Sequence, residues 1–149
     1  MRARFTLNGA PVETDVAPAS MLLDLVRERG LTGTKEGCAV GICGVCTVLV
    51  DDRPVSSCLY LCGFLDGADV WTVEGLVERE PELADAFVEC EGMQCGICTP
   101  GQVVAAAALR LRSPGAGAAE VREELAGNLC RCTGYETIVE AVMRYLERS

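Results

Sequence analysis

Apolar and polar residues alternate over Arg2 to Leu7 and again over Pro11 to Val16, with Asn8-Gly9 between them. This pattern predicts two strands joined by a two-residue hairpin turn. The period then lengthens. Leu22, Leu25 and Val26 share one helical face behind Ser20, a capping residue, and Gly30 stops the helix. A glycine-rich loop follows, then a second hairpin in which CTVLV and RPVSS flank Asp51-Asp52. One more strand is expected over Val70 to Val73. Two hairpins, a helix and a last strand predict a small mixed sheet with a helix across it, a β-grasp-like layout.

Beyond this point the apolar spacing is helical. Leu83 to Val88 forms a short helical stretch, and Thr99-Pro100 reads as an N-cap followed by proline at the first helical position. The helix it opens, Gly101 to Arg112, breaks at Ser113-Pro114-Gly115. Ala118 to Ala126 is the next helix, ended by Gly127. The last spans Glu136 to Glu147, with Ile138, Val139, Val142, Met143 and Leu146 on one stripe. The expected class is α+β, with a β-grasp domain over residues 1–79 and a helical, four-helix bundle-like domain over 80–149. The boundary falls near VEREPEL.

Half of the 149 residues are apolar, which predicts a folded, globular chain. The net charge of −9 with no basic run argues against nucleic acid or an anionic membrane as partner, and fits a partner protein better. The start, MRARFTLNGAPVETDV, lacks an apolar stretch, and the longest apolar run, Val103 to Leu109, is far too short to cross a bilayer. The expected address is the cytoplasm.

Composition then narrows the chemistry. The chain has ten cysteines and no histidine. In a reducing compartment such cysteines point to metal or catalysis rather than disulfides. The missing histidine excludes Rieske ligation, histidine-ligated haem, mixed cysteine-histidine zinc fingers and a cysteine-histidine nucleophile pair.

Cys38, Cys43 and Cys46 follow C-x4-C-x2-C, and Cys58 lies past the second hairpin. That is the plant-type ferredoxin ligand pattern for a [2Fe-2S] cluster. Gly37, Gly41 and Gly44 suit a loop that must bend tightly and aim backbone N–H groups at sulfur. The competing reading is a structural zinc site of four cysteines, which more often uses two short C-x2-C knuckles.

The second half offers five cysteines for four places: Cys90, Cys95, Cys98, Cys130 and Cys132. CEGMQCGIC repeats the spacing of CAVGICGVC, so copying the first motif would select Cys90. Local geometry selects otherwise. Cys130 and Cys132, at i and i+2 after a helix stop, point to one side of an extended segment. Cys95 and Cys98 stand just ahead of a helix start, whose positive end favours thiolates. Cys90 and Cys62 then read as buried thiols. Two clusters in series and no other visible chemistry predict a chain that passes single electrons.

The motifs GTKEGCAVGICGVCTVLVDDRPVSSCL, QCGICTPG and GNLCRCTGY together resemble the small iron-sulfur subunit of the molybdenum hydroxylases, the xanthine dehydrogenase, aldehyde oxidoreductase and carbon monoxide dehydrogenase group. The resemblance covers nearly the whole chain. It implies an N-terminal plant-type ferredoxin-like domain and a C-terminal four-helix domain, each holding one [2Fe-2S] cluster. By matching positions, Cys38, Cys43, Cys46 and Cys58 would bind the outer cluster and Cys95, Cys98, Cys130 and Cys132 the inner one. Gln94 would hydrogen-bond the pterin of a partner subunit, beside which Cys132 would also lie. Ile97, Asp52 and Gly117-Ala118 depart from the family's usual aromatic, glycine and capping residues. The third departure implies a helix lacking a cap contribution of about 1 kcal/mol.

The resemblance further implies a heterotrimeric oxidoreductase: a large molybdopterin subunit with the substrate site, a medium FAD subunit, and this chain passing electrons between them. The alternative reading is a free-standing two-cluster ferredoxin-type carrier, which would be a stable acidic monomer.

Overall fold

A computed structural model describes residues 1–148. The first hairpin forms as the alternation predicts. β1 (Arg2–Leu7) pairs antiparallel with β2 (Ala10–Asp15), from Arg2 opposite Asp15 to Leu7 opposite Ala10. Asn8 and Gly9 both take positive φ, 52° and 77°, the backbone of a type I′ turn. β1 sends Ala3, Phe5 and Leu7 into the core.

The second hairpin pairs β3 (Thr47–Val50) with β4 (Arg53–Ser56) around Asp51 and Asp52, both left-handed at φ 50° and 62°. No glycine relieves this turn. Asp51 instead accepts the Asp69 N–H through Oδ1 at 2.9 Å, which ties the turn to the neighbouring strand. That strand, β5 (Asp69–Trp71), runs parallel to β1 and antiparallel to β3, so the sheet order is β2-β1-β5-β3-β4.

Every residue of β3 is buried. Val48 and Val50 join the core under the sheet with Phe5, Leu22, Val26 and Val70, whereas Leu49 joins the core of the helical half. The continuous apolar run TVLV is what a strand covered on both faces requires.

Helix α1 (Leu22–Glu28) packs Leu22 and Val26 into the core of the sheet. Its N-cap residue is Met21, because the Ser20 hydroxyl donates instead to the Ala17 carbonyl at 2.7 Å. Leu22 and Val26 are buried against the sheet with Leu25 half-buried beside them, as patterned, while Leu23 is buried in a separate cluster on Cys46 and Cys58. Cys62 begins a single 3-10 turn (Cys62–Phe64) and is fully buried.

The strand expected over Val70 to Val73 stops at Trp71, and Val73–Arg79 is a helix, α2, that the apolar pattern does not announce. Asn8 ends the strand from across the sheet. Its Oδ1 accepts the Thr72 N–H at 2.8 Å and its Nδ2 donates to the Thr72 hydroxyl at 3.0 Å.

The helical half comprises α3 (Pro81–Glu89), α4 (Thr99–Arg112), α5 (Ala118–Leu125) and α6 (Glu136–Glu147). In α4 every residue from Gly101 to Leu109 is buried, as expected of a helix apolar on all sides and packed at the centre. The helix starts one residue earlier than Thr99-Pro100 suggests: Cys98 is the N-cap residue and Thr99 is already helical. On α6, Ile138, Val139, Val142 and Leu146 are buried as patterned, Met143 is half-buried, and Ala141 and Tyr145 join them.

One polar cluster clamps this half. The Tyr145 hydroxyl donates to Glu80 Oε2 at 2.5 Å, and the Arg110 guanidinium sits 4.6 Å from the Tyr145 ring centre and 3.4 Å from the same carboxylate oxygen. Among the described residues no helix is long and apolar enough to cross a membrane.

Candidate metal centres

The loop from α1 to β3 carries the first cysteine group. Ala39 and Gly41 both take positive φ, 54° and 75°. This backbone turns successive N–H groups inward, and Cys38 Sγ accepts from Val40 at 3.5 Å, Ile42 at 3.3 Å and Cys43 at 3.4 Å. These donors, Val40 first, lower the Cys38 thiol to about 6. Cys46 and Cys58 are buried under Leu23. Burial, then the neighbouring Cys46 thiol, pushes Cys58 up to about 11. Ser57 joins the two segments, its hydroxyl donating to the Cys46 carbonyl at 2.7 Å.

The second group gathers at the start of α4. Cys132 and Cys95 lie with sulfurs 3.5 Å apart, both exposed, and the Ile97 N–H and the Cys132 thiol lower Cys95. Cys98 is buried at the N-cap. Burial and the Cys130 thiol raise it to about 12, so the helix end does not by itself set its ionisation. For Cys130 burial also opposes ionisation, but the Thr133 hydroxyl and the N–H groups of Thr133 and Cys132 outweigh it and bring the thiol to about 7.

Within each group the hydrogen-bonding thiol contacts run Cys38 with Cys43, Cys46 with Cys58, Cys95 with Cys132 and Cys98 with Cys130, and weaker electrostatic interactions join the pairs, Cys58 with Cys38, Cys95 with Cys130 and Cys98 with Cys95. A two-and-two arrangement suits a two-iron cluster, where each iron takes two thiolates. A tetrahedral zinc site needs all four around one point.

Cys90 stands apart from these pairs. It caps the C-terminal end of α3 in the helical core, its thiol raised by burial, and the charged groups acting on it belong to Arg144, Glu140, Glu89 and Arg148 rather than to other thiols. Gln94 is exposed beside Cys95. Exposed apolar side chains flank both groups: Val40, Ile42 and Leu59 near the first, Ile97 and Leu129 near the second.

Several residues that shape these centres carry no metal-binding signature in the sequence. Asn128 is buried between the halves. Its Nδ2 donates to the Gly44 carbonyl at 2.8 Å and to the Thr47 hydroxyl at 3.0 Å, while its own carbonyl accepts from Gln102 Nε2 at 2.6 Å. Thr133 and Tyr135 form a tight turn around Cys130: the Cys130 N–H donates to the Tyr135 hydroxyl at 2.8 Å, and the Tyr135 N–H to Thr133 Oγ1 at 3.1 Å. The Thr-Gly pair that follows Cys132 is a legible turn signal. The inward side-chain bonds are not.

A family model described as a 2Fe-2S iron-sulfur cluster binding domain matches residues 5–70, and one described as a [2Fe-2S] binding domain matches residues 72–143. The chain is 42% identical over 142 residues to the xanthine dehydrogenase iron-sulfur-binding subunit of Escherichia coli O157:H7, covering 93% of this chain and 89% of that protein. It is 43% identical to the nicotinate dehydrogenase small FeS subunit of Eubacterium barkeri, over 95% and 92% of the two chains. Among solved structures, quinoline 2-oxidoreductase from Pseudomonas putida 86 superposes with a TM-score of 0.92 at 45% identity, over 99% of this chain and 94% of the matched chain. The aldehyde oxidoreductase of Desulfovibrio gigas gives 0.93 at 36% identity over 98% of this chain, where it makes up 17% of a longer polypeptide. With two [2Fe-2S]-binding domains in tandem and relatives matched along nearly their full lengths, the chain belongs to the small iron-sulfur subunits of the molybdenum hydroxylases.

Proposed function

We propose that this chain is the electron conduit of a multi-subunit molybdenum hydroxylase, with Cys38, Cys43, Cys46 and Cys58 holding one [2Fe-2S] cluster and Cys95, Cys98, Cys130 and Cys132 the other. The observation that carries the ligand set is the pairing of thiols two by two, with Cys95 and Cys132 at 3.5 Å and Cys90 left in the apolar core. When bound, such clusters supply one-electron acceptor and donor chemistry. The residues of this chain hold them in series and keep them apart from bulk solvent to different degrees, Cys46, Cys58 and Cys98 buried, Cys95 and Cys132 exposed.

The exposed end formed by Gln94, Cys95 and Cys132 is assigned to a large molybdopterin subunit. The Gln94 amide, both donor and acceptor, would pair with the pterin edge, and Cys132 would lie beside it. The loop around Cys38, rimmed by exposed Val40, Ile42 and Leu59, is assigned to an FAD subunit. Substrate oxidation belongs to the large subunit, and this chain is placed in the cytoplasm. The exposed apolar rims favour this reading over a free-standing carrier, for which they would be costly surface.

Affinity purification of the chain from its native cell tests the assignment. A larger molybdopterin chain and an FAD chain are expected to copurify with it, with four iron atoms per copy expected from two two-iron clusters. Recovery as a lone acidic monomer carrying both clusters would favour the free carrier. For the ligands, iron and acid-labile sulfide are counted in each cysteine-to-serine variant, and loss of a cluster's iron in Cys90→Ser would overturn the set.

A further inference from the structure

The two centres differ in what their sulfurs bind. Cys38 Sγ accepts from three backbone N–H groups, which no ordinary side-chain replacement removes. At Cys130 a side chain is involved: Thr133 Oγ1 lies 3.2 Å from the sulfur.

The direction of that bond follows from its surroundings. Thr133 Oγ1 already accepts the Tyr135 N–H at 3.1 Å, and a metal-bound thiolate has no proton to give. The hydroxyl proton therefore points at Cys130 Sγ. Three bonds close a ring: Cys130 N–H to the Tyr135 hydroxyl at 2.8 Å, Tyr135 N–H to Thr133 Oγ1, and Thr133 O–H to Cys130 Sγ. Tyr135 holds its place in this ring at φ 71°, a backbone region that aromatic residues seldom occupy. Such a conformation persists where surrounding contacts over-determine it.

We propose that the Thr133 hydroxyl is a positioning and potential-setting residue for the inner cluster, raising its reduction potential through the Cys130 thiolate. The proposal rests on the ligand set given above. Hydrogen bonds to cluster sulfurs are among the levers that set the potential, because they stabilise the more negative, reduced form the more strongly. The couple involves one electron and no proton: Thr133 keeps its hydrogen in both states. At the outer cluster the donors to Cys38 are main-chain groups, so the sequence adjusts the step between the two centres from the inner side.

The test is an EPR-monitored redox titration of the full-length, cluster-loaded chain, with the inner signal identified as the one altered in Cys132→Ser. Thr133→Val keeps the shape and removes the hydroxyl. It is expected to shift the inner equilibrium about tenfold toward the oxidised form, which for one electron is about 59 mV more negative, leaving the outer midpoint in place. Thr133→Ser keeps the hydroxyl and should retain the parent value. An unshifted inner midpoint in Thr133→Val, an equal shift in Thr133→Ser, or loss of the inner iron in Thr133→Val would each overturn the proposal. Absence of inner-cluster iron from the unsubstituted chain would instead sink the ligand reading on which it rests.

Discussion

The Leu129 N–H donates to the carbonyl oxygen of Cys43 at 2.9 Å. Cys43 belongs to the first cysteine group and Leu129 immediately precedes Cys130 of the second, so one main-chain hydrogen bond joins the two loops that carry the thiols. The bond ties the two loops directly together, and the side chains around it determine whether that contact holds.

Asn128 is the principal support of that contact, satisfying the Gly44 carbonyl and the Thr47 hydroxyl in a buried site. Asn128→Ala removes two buried hydrogen bonds, while the Gly44 carbonyl keeps the Thr47 hydroxyl as a donor at 2.6 Å, so the expected loss in urea denaturation is about 1 kcal/mol. Asn128→Asp is expected to be worse, because a carboxylate would face the Gly44 carbonyl with nothing to donate. Both should also weaken the magnetic coupling between the two clusters, read by low-temperature EPR. Unchanged coupling would mean that the loops hold their spacing without Asn128.

A second prediction concerns Gly101, on the face of α4 that meets Gly44. A Cβ there would strike the Gly44 carbonyl oxygen, a backbone atom with little room to move. Alanine in place of a helical glycine gains about 1 kcal/mol in propensity. Overpacking typically costs 1–3 kcal/mol, so the clash is expected to win, with Gly101→Ala less stable by about 1 kcal/mol. Equilibrium denaturation checks the sign, and a stabilised variant would show that the two halves can part without cost.

By contrast, Gly117 offers a gain. It occupies the N-cap position of α5 with extended backbone and no side-chain cap bond, and an added Cβ would meet nothing within 4 Å. Gly117→Ser supplies the missing acceptor for the first-turn N–H groups. The expected effect is a few tenths of a kcal/mol, a small rise in thermal midpoint with no change in cluster content. A fall in midpoint would count against the capping argument.

What the sequence makes legible here is what is local. The positive-φ turn at Asn8-Gly9, the strand TVLV and the cysteine spacings are all settled within a few residues, and each was readable. The missed features depend on segments far apart in sequence. Helix α2 has seven residues with Gly75 inside and Leu76 as its main buried side chain, too short for a period to show, and its start is set by Asn8 from across the sheet. Ser20 reads as a cap but is captured by Ala17, a choice made by the loop. Asn128 and Gln102 look like ordinary polar residues until α4 and the first cysteine loop are brought together around them.

The spacing shared by CEGMQCGIC and CAVGICGVC leads to a prediction about Cys90. Its thiol is buried in the helical core and is acted on by charged side chains rather than other thiols. Cys90→Ala is expected to retain full iron and sulfide, with a stability loss of about 1 kcal/mol from the lost packing. Cys98→Ala should release the iron of one cluster. Equal iron loss in the two variants would return Cys90 to the ligand set.

The clamp at Glu80 carries a pH signature whose sign can be worked out. Burial disfavours the charged carboxylate, but the Tyr145 hydroxyl and the Arg79 and Arg110 guanidinium groups outweigh it, holding Glu80 below its ordinary 4.5. A carboxyl with a depressed folded-state value contributes stability that is fully present above its unfolded value and is lost as pH falls through the folded one. Glu80→Gln keeps an acceptor for Tyr145 and gives up the pairing with Arg110, at an expected cost of about 1 kcal/mol at neutral pH. The gap between parent and variant in urea midpoint should stay constant across neutral pH and close below about 4.5. If it were to widen on acidification, Glu80 would be held protonated in the fold, and the Tyr145 bond would run in the opposite direction.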